Sequence, residues 1–118
     1  MGEESGNKYD LEERTYKFAL DVCNFCKKLP RTISNLEYVK QVIRSSGSPA
    51  SNYIEANESL SKKDFQLRIK IYRKESKEKI LWLRLIINTN SEKFIDEGQK
   101  LIGEAKELRK IFSSILNK

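Results

Sequence analysis

"RSSGSPASNYIEANESLSKKDF", residues 44–65, decides between two kinds of protein. Residues 45–51 are all small and include Gly47 and Pro49. As a phosphate-binding loop the stretch would join a strand to a helix and imply an α/β fold. A Walker-type loop, however, needs several glycines and a Gly-Lys-Ser/Thr ending, because closely spaced backbone amides must cradle the phosphates. Gly47 stands alone, and Ile43, Ala50 and Ile54 keep one helical face on either side of it. The stretch therefore reads as helix. Pro49 lacks an amide hydrogen for the carbonyl of Ser45 and crowds that turn, at a cost of roughly 3 kcal/mol in an undistorted helix. Either the helix kinks, or it restarts with Ser48 as cap and Pro49 at its first position. The shared apolar face predicts a kinked but continuous helix, in which the small residues let a neighbouring helix approach closely.

Working outward, apolar residues recur at three- and four-residue steps in four blocks. The first holds Phe18, Val22, Phe25, Cys26 and Leu29; the second Leu36, Val39, Ile43, Ala50 and Ile54. The third holds Phe65, Ile69, Tyr72, Leu83 and Ile86, and the last Phe94, Leu101, Ala105, Leu108, Phe112 and Ile115. Each block follows a capping signature, a short polar residue with a carboxylate three positions on: Asp10 and Glu13, Ser34 and Glu37, Ser61 and Asp64, Thr89 and Glu92. The connections, near 30–33, 60–61 and 88–90, are short, so sequential helices pack antiparallel. The sequence thus predicts an all-α, antiparallel up-and-down four-helix bundle. Residues 1–9 form a frayed N-terminus and 10–118 a single domain.

Composition agrees with long, solvated helices. Charged residues make up 34% of the chain and hydrophobic ones 38%, while Gly (5) and Pro (2) are too few for an all-β protein with many tight turns. No run approaches the ~18 apolar residues of a membrane span, and "MGEESGNKYD" lacks a signal-peptide core, so a cytoplasmic protein without a membrane partner is expected. "CNFC", Cys23–Cys26, invites a redox or metal reading. With no histidine and no second cysteine pair, a tetrahedral zinc site cannot be completed, and a βαβ context for redox chemistry is missing. Buried, reduced cysteines are the expectation, with no metal and no cofactor.

The stretch at 44–65, followed by "RIKIYRKESKEKILWLRLI" at 68–86, resembles the four-helix-bundle family encoded in intervening sequences of bacterial 23S ribosomal RNA genes. The resemblance rests on Arg44, Ser45, Ser48, Asn52, Glu55, Ser61, Asp64, Phe65 and Glu78. It departs at "EANES", where many members carry Glu-Gly and an arginine after the Asn. The resemblance implies a bacterial protein that forms a ring-like homo-oligomer. A similar bundle is the accessory protein of diversity-generating retroelements, which implies a pentamer working with a reverse transcriptase and nucleic acid.

Three sets of residues are candidates for function. Arg44, Ser48, Asn52 and Glu55 on helix 2, with Arg68, Glu75 and Glu78 on helix 3 and Lys79 beside them, form either an acid–base site or a structural polar seam between the two helices. Catalytic carboxylates need a cleft that separates their pKa values, which a short bundle rarely encloses, so the seam is expected and no catalytic residue is assigned. Leu67, Ile71, Trp82 and Leu85 form a second apolar stripe on helix 3, roughly 120° from the first. A subunit contact would cover it. The third set is cationic. The net charge is +6, and residues 61–88 hold nine basic against three acidic side chains, which accounts for the whole excess. Lys63, Lys70, Lys77 and Arg84 recur every seven residues, flanked by Arg73 and Lys74, and make one stripe about 31 Å long. Such a row suits the phosphate backbone of RNA or DNA, bound without base readout. The expected function is therefore non-enzymatic: a ring-like homo-oligomer that binds nucleic acid, or alternatively a scaffold for a protein partner whose charge serves solubility.

Overall fold

The computed structural model describes residues 8–57 and 61–116, and side chains over 11–46 and 61–115. Four helices follow in order: α1 (Lys8–Lys27), α2 (Ile33–Asn57), α3 (Lys62–Thr89) and α4 (Ile95–Leu116), the last preceded by a 3-10 turn at Glu92–Phe94. Sequential helices pack on one another and α4 closes against α1, with the α2–α3 pair forming the largest interface. This is the up-and-down bundle that the short connections require. Its long dimension of 44 Å matches the length of α3.

Helix α2 runs unbroken through Pro49. The bend expected there falls in the segment from Gly47 whose packing lies outside the described residues, as do Ala50, Ile54 and the Ser48, Asn52 and Glu55 members of the polar seam.

Of the four expected helix starts, only Ser61 holds its place. Its backbone is extended and its hydroxyl accepts the Asp64 N–H at 3.1 Å. In α2 the cap is Thr32, whose hydroxyl accepts the Asn35 N–H at 3.1 Å, so Ser34 lies inside the first turn. Thr89 ends α3 instead of starting α4, donating to the Leu85 carbonyl at 2.6 Å; Ser91 opens the next turn. Helix α1 begins before Asp10, at Lys8.

The core follows the periodicity in three helices. Phe18, Val22, Phe25 and Cys26 of α1 with Leu29 just beyond it, Ile69, Tyr72, Leu83 and Ile86 of α3, and Leu101, Ala105, Leu108 and Phe112 of α4 are all buried. Helix α2 differs. Leu36 and Ile43 are 52% and 38% exposed, and the inward residues are Asn35, Val42, Ser45 and Ser46. The buried face lies one residue earlier at these two steps, while Val39 packs against the core as expected. The serine hydroxyls are satisfied locally, each donating at 3.2 Å to the carbonyl three residues back.

At the pole where α1 meets α2 and α3 meets α4, the polar groups reciprocate. The Asn35 side-chain amide donates to the Pro30 carbonyl at 2.8 Å and to Asn90 Oδ1 at 2.7 Å. The Asn90 amide donates to Asn35 Oδ1 and to the Ile86 carbonyl, both at 2.8 Å. Phe25 and Phe94 meet edge to face at 6.3 Å, and Lys28 pairs with Glu97 at 3.0 Å. Gly98 lets α4 approach here: a Cβ would run into the Ile87 side chain and lie 3.5 Å from Phe25.

Candidate nucleic-acid interface

The seven-residue repeat on α3 puts Lys63, Lys70, Lys77 and Arg84 on a single exposed face. Lys74 is also exposed and Arg73 is half-buried. The start of this face borders a hollow of about 510 Å³ lined by Lys63, Lys70, Gln66 and Leu67 among others.

A second group of cations adjoins the stripe. On α4, Lys106, Arg109, Lys110, Ser113 and Ser114 stand at i, i+3, i+4, i+7 and i+8, hence on one face. With Lys77 and Ile80 of α3 they line an open cavity of about 700 Å³. The charge count along α4 conceals this group, because its six bases nearly balance five acids over residues 89–118. The structure draws two of the acids away. Glu97 binds Lys28, just past the end of α1, and Glu104 binds Arg14 of α1; the Arg14–Glu104 contact is bidentate at 2.7 and 2.9 Å. The i, i+3, i+4, i+7 spacing is its signal in sequence, which a charge sum over all faces hides.

The second apolar stripe of α3 divides in two. Leu67 and Ile71 are exposed, 57% and 37%, whereas Trp82 and Leu85 are half-buried and Trp82 lies 6.3 Å from the Tyr38 ring of α2. Larger uncovered apolar surface occurs on α1 and α2. Ile33, Leu36 and Ile43 are exposed, and a groove of about 480 Å³ between these helices is lined by Cys23, Leu29, Leu36 and Val39 among others.

The polar seam is only partly assembled. Arg44 is exposed and donates to Gln41 of its own helix at 3.3 Å, and Glu78 is exposed. Arg68 and Glu75 are half-buried. Lys79, placed beside them by sequence, points into the core instead: it is fully buried, with its amine 4.7 Å from the centre of the Phe18 ring and 5.3 Å from that of Tyr72. The signal was its spacing, seven residues after Tyr72 and seven before Ile86. Burial lowers its pKa to about 7, against a weaker opposing pull from Glu75. Its Nζ and the Tyr72 hydroxyl have no hydrogen-bond partner, and burial, with Glu104 nearby, pushes the Tyr72 phenol above its usual range.

Cys23 and Cys26 are free thiols, and burial pushes Cys26 up to about 12, which leaves it protonated and unreactive. Among the described residues no group of His, Cys, Asp and Glu could hold a metal ion, and no helix is long and apolar enough to cross a membrane.

The sequence pattern of the family described as 23S rRNA-intervening sequence protein matches residues 7–114. A crystal structure of a protein of unknown function from the S23 ribosomal protein family of Bacteroides thetaiotaomicron is similar in fold. It superposes with a TM-score of 0.77 at 25% identity, covering 94% of this chain and 98% of that one. No match is found among curated proteins.

Proposed function

The chain belongs to the 23S rRNA-intervening sequence protein family, and from that premise we propose that it is a non-enzymatic nucleic-acid-binding protein that works as a ring-like homo-oligomer. The observation that carries the reading is the exposed row Lys63, Lys70, Lys77 and Arg84 along α3. Cations spaced along one straight face neutralise successive backbone phosphates and release their counterions, which requires no base recognition. Exposed apolar residues on α1 and α2, with Leu67 and Ile71 of α3, supply surface that a second subunit would cover. A ring would set several stripes side by side.

Binding of RNA or DNA is expected to fall with salt by about 0.7 to 0.9 log units per log of salt for each phosphate neutralised. Replacing Lys70, Lys77 and Arg84 together by glutamine is expected to flatten that slope with helix content unchanged by circular dichroism. An unchanged slope would remove the stripe from the interface. Light scattering tests assembly, since a stable monomer near 13.8 kDa contradicts the ring. The second reading, a scaffold for a protein partner, rests on the same apolar groove between α1 and α2. Recovery of that partner would survive nuclease treatment.

A further inference from the structure

We propose that the open cavity between α3 and α4 is a binding site for a linear oligophosphate, either inorganic or carried by a nucleotide. The site shares Lys77 with the α3 stripe, but its other three cations, Lys106, Arg109 and Lys110, belong to α4 and take no part in the nucleic-acid reading. Its lining brings four cations, Lys77, Lys106, Arg109 and Lys110, and two hydroxyls, Ser113 and Ser114, around one concavity, with no carboxylate among the described lining residues. At about 700 Å³ it falls within the range of small-molecule sites.

The local charge identifies the ligand class. A nucleic-acid strand presents one negative charge per nucleotide, so a row such as that on α3 suits it, whereas four cations around one hollow suit a ligand whose charges are crowded together. Linear oligophosphates have that property. Lysine and arginine supply point-charge and forked donors to phosphate oxygens, and the serine hydroxyls add neutral ones. Most of the lining surface is apolar, from Ile80 and the alkyl stems of the long cationic side chains, so the charged ends stand around an apolar floor.

The arrangement also works against the helix that carries it. Lys106 with Arg109 and Lys106 with Lys110 are like-charge pairs at i,i+3 and i,i+4, which destabilise a helix. Among the described residues Lys110 pairs with Glu107, at 3.6 Å and largely exposed, hence weakly. The acids that could have balanced the cluster, Glu97 and Glu104, are engaged with α1. A bound polyanion would relieve this repulsion, so binding is expected to raise the melting temperature by linkage.

Calorimetric titration and thermal melts at low salt test the site with tripolyphosphate, orthophosphate, ATP and adenosine as probes. Tripolyphosphate is expected to bind and to raise the melting temperature, with orthophosphate at least about tenfold weaker. The Arg109→Gln/Lys110→Gln double variant, whose positions are on the surface, is expected to fold, to melt no lower than the parent without ligand, and to lose at least about tenfold in tripolyphosphate affinity. Lys63→Gln/Lys70→Gln, on the distant part of the stripe, is expected to leave that affinity within about twofold. Equal affinity for ATP and tripolyphosphate means that only the phosphate chain is read; tighter ATP with no adenosine binding identifies a nucleotide. Either outcome supports the proposal. It is overturned if tripolyphosphate does not bind, if it binds no more tightly than orthophosphate, or if both double variants weaken it equally, since diffuse surface charge would then account for the effect.

Discussion

The loop pole and the middle of the core handle polar groups in opposite ways. At the loop pole, Asn35 and Asn90 each donate to and accept from the other, and each also satisfies a backbone carbonyl. In the middle of the bundle, Lys79 and Tyr72 are fully buried, and neither polar tip finds a hydrogen-bond partner. The ring faces of Phe18 and Tyr72 near the Lys79 amine replace only part of the water it has lost. Polar groups that pair on leaving water hold the fold, whereas those that leave it unpaired weaken it.

The largest expected effect comes from removing the contrast at its costly end. Lys79→Met keeps the volume and deletes the buried amine, and is expected to stabilise the protein by about 1–4 kcal/mol in urea denaturation at pH 6. A destabilised variant would mean that the amine has a partner in solution. The same residue gives a pH signature. The folded state releases the Lys79 proton at about 7 and the unfolded chain at 10.5, so between these values the unfolded chain holds more protons. Stability is therefore expected to rise with pH across that window, by up to about 1.4 kcal/mol per pH unit, with the full cost present below pH 7. Arg14, Glu75, Glu104 and Tyr72 remain in the variant, so the part of the slope that Lys79→Met abolishes belongs to the amine.

The satisfied end is expected to respond with the opposite sign. Asn35→Ala strands the Asn90 side chain and the Pro30 carbonyl and is expected to cost about 1–3 kcal/mol. Adding Asn90→Ala is expected to cost less than the two single changes summed, because the second removes a group already orphaned. Additive losses would show that the two amides act separately. The smallest effect is reserved for Tyr72→Phe, which removes one unpaired hydroxyl while keeping the ring stacked 3.8 Å from Phe112. It is expected to be neutral or stabilising by up to about 1 kcal/mol. A loss would identify a partner for the hydroxyl and narrow the comparison to Lys79 alone.

How far these features could be read from sequence depended on whether inward-facing residues were apolar. In α1, α3 and α4 most are, and counting at helical steps found Phe18 through Leu29, Ile69 through Ile86, and Leu101 through Phe112. In α2 the inward face mixes Val42 and Val39 with Asn35, Ser45 and Ser46, so an apolar periodicity through Leu36 and Ile43 points partly to the wrong side. Lys79 escaped for the same reason: a heptad position in the core was read by its charge. The α3 stripe was legible because one helix holds the excess charge. The α4 half of the cavity is not, because Glu97 and Glu104 lie on another side of α4 from Lys106, Arg109 and Lys110, and the signs cancel in any linear tally. Capping suffered a related ambiguity, since Thr32 and Ser34, or Thr89 and Ser91, offer the same chemistry two residues apart, and tertiary contacts choose between them.

The asparagine pair also has a mechanical consequence. It joins the beginning of α2 to the end of α3 and so links the α1–α2 hairpin to the α3–α4 hairpin at a fixed axial position. Sliding one hairpin along the other by a single turn, about 5.4 Å, would strand both amides at once, while the apolar side chains could still find partners. The pair thus acts as a ratchet stop, comparable to a lone buried asparagine that sets the stagger of a coiled coil. If the chain were cut between α2 and α3, the two hairpins expressed as separate fragments would be expected to reassociate in this one alignment. Fragments carrying alanine at both positions would be expected to join in several.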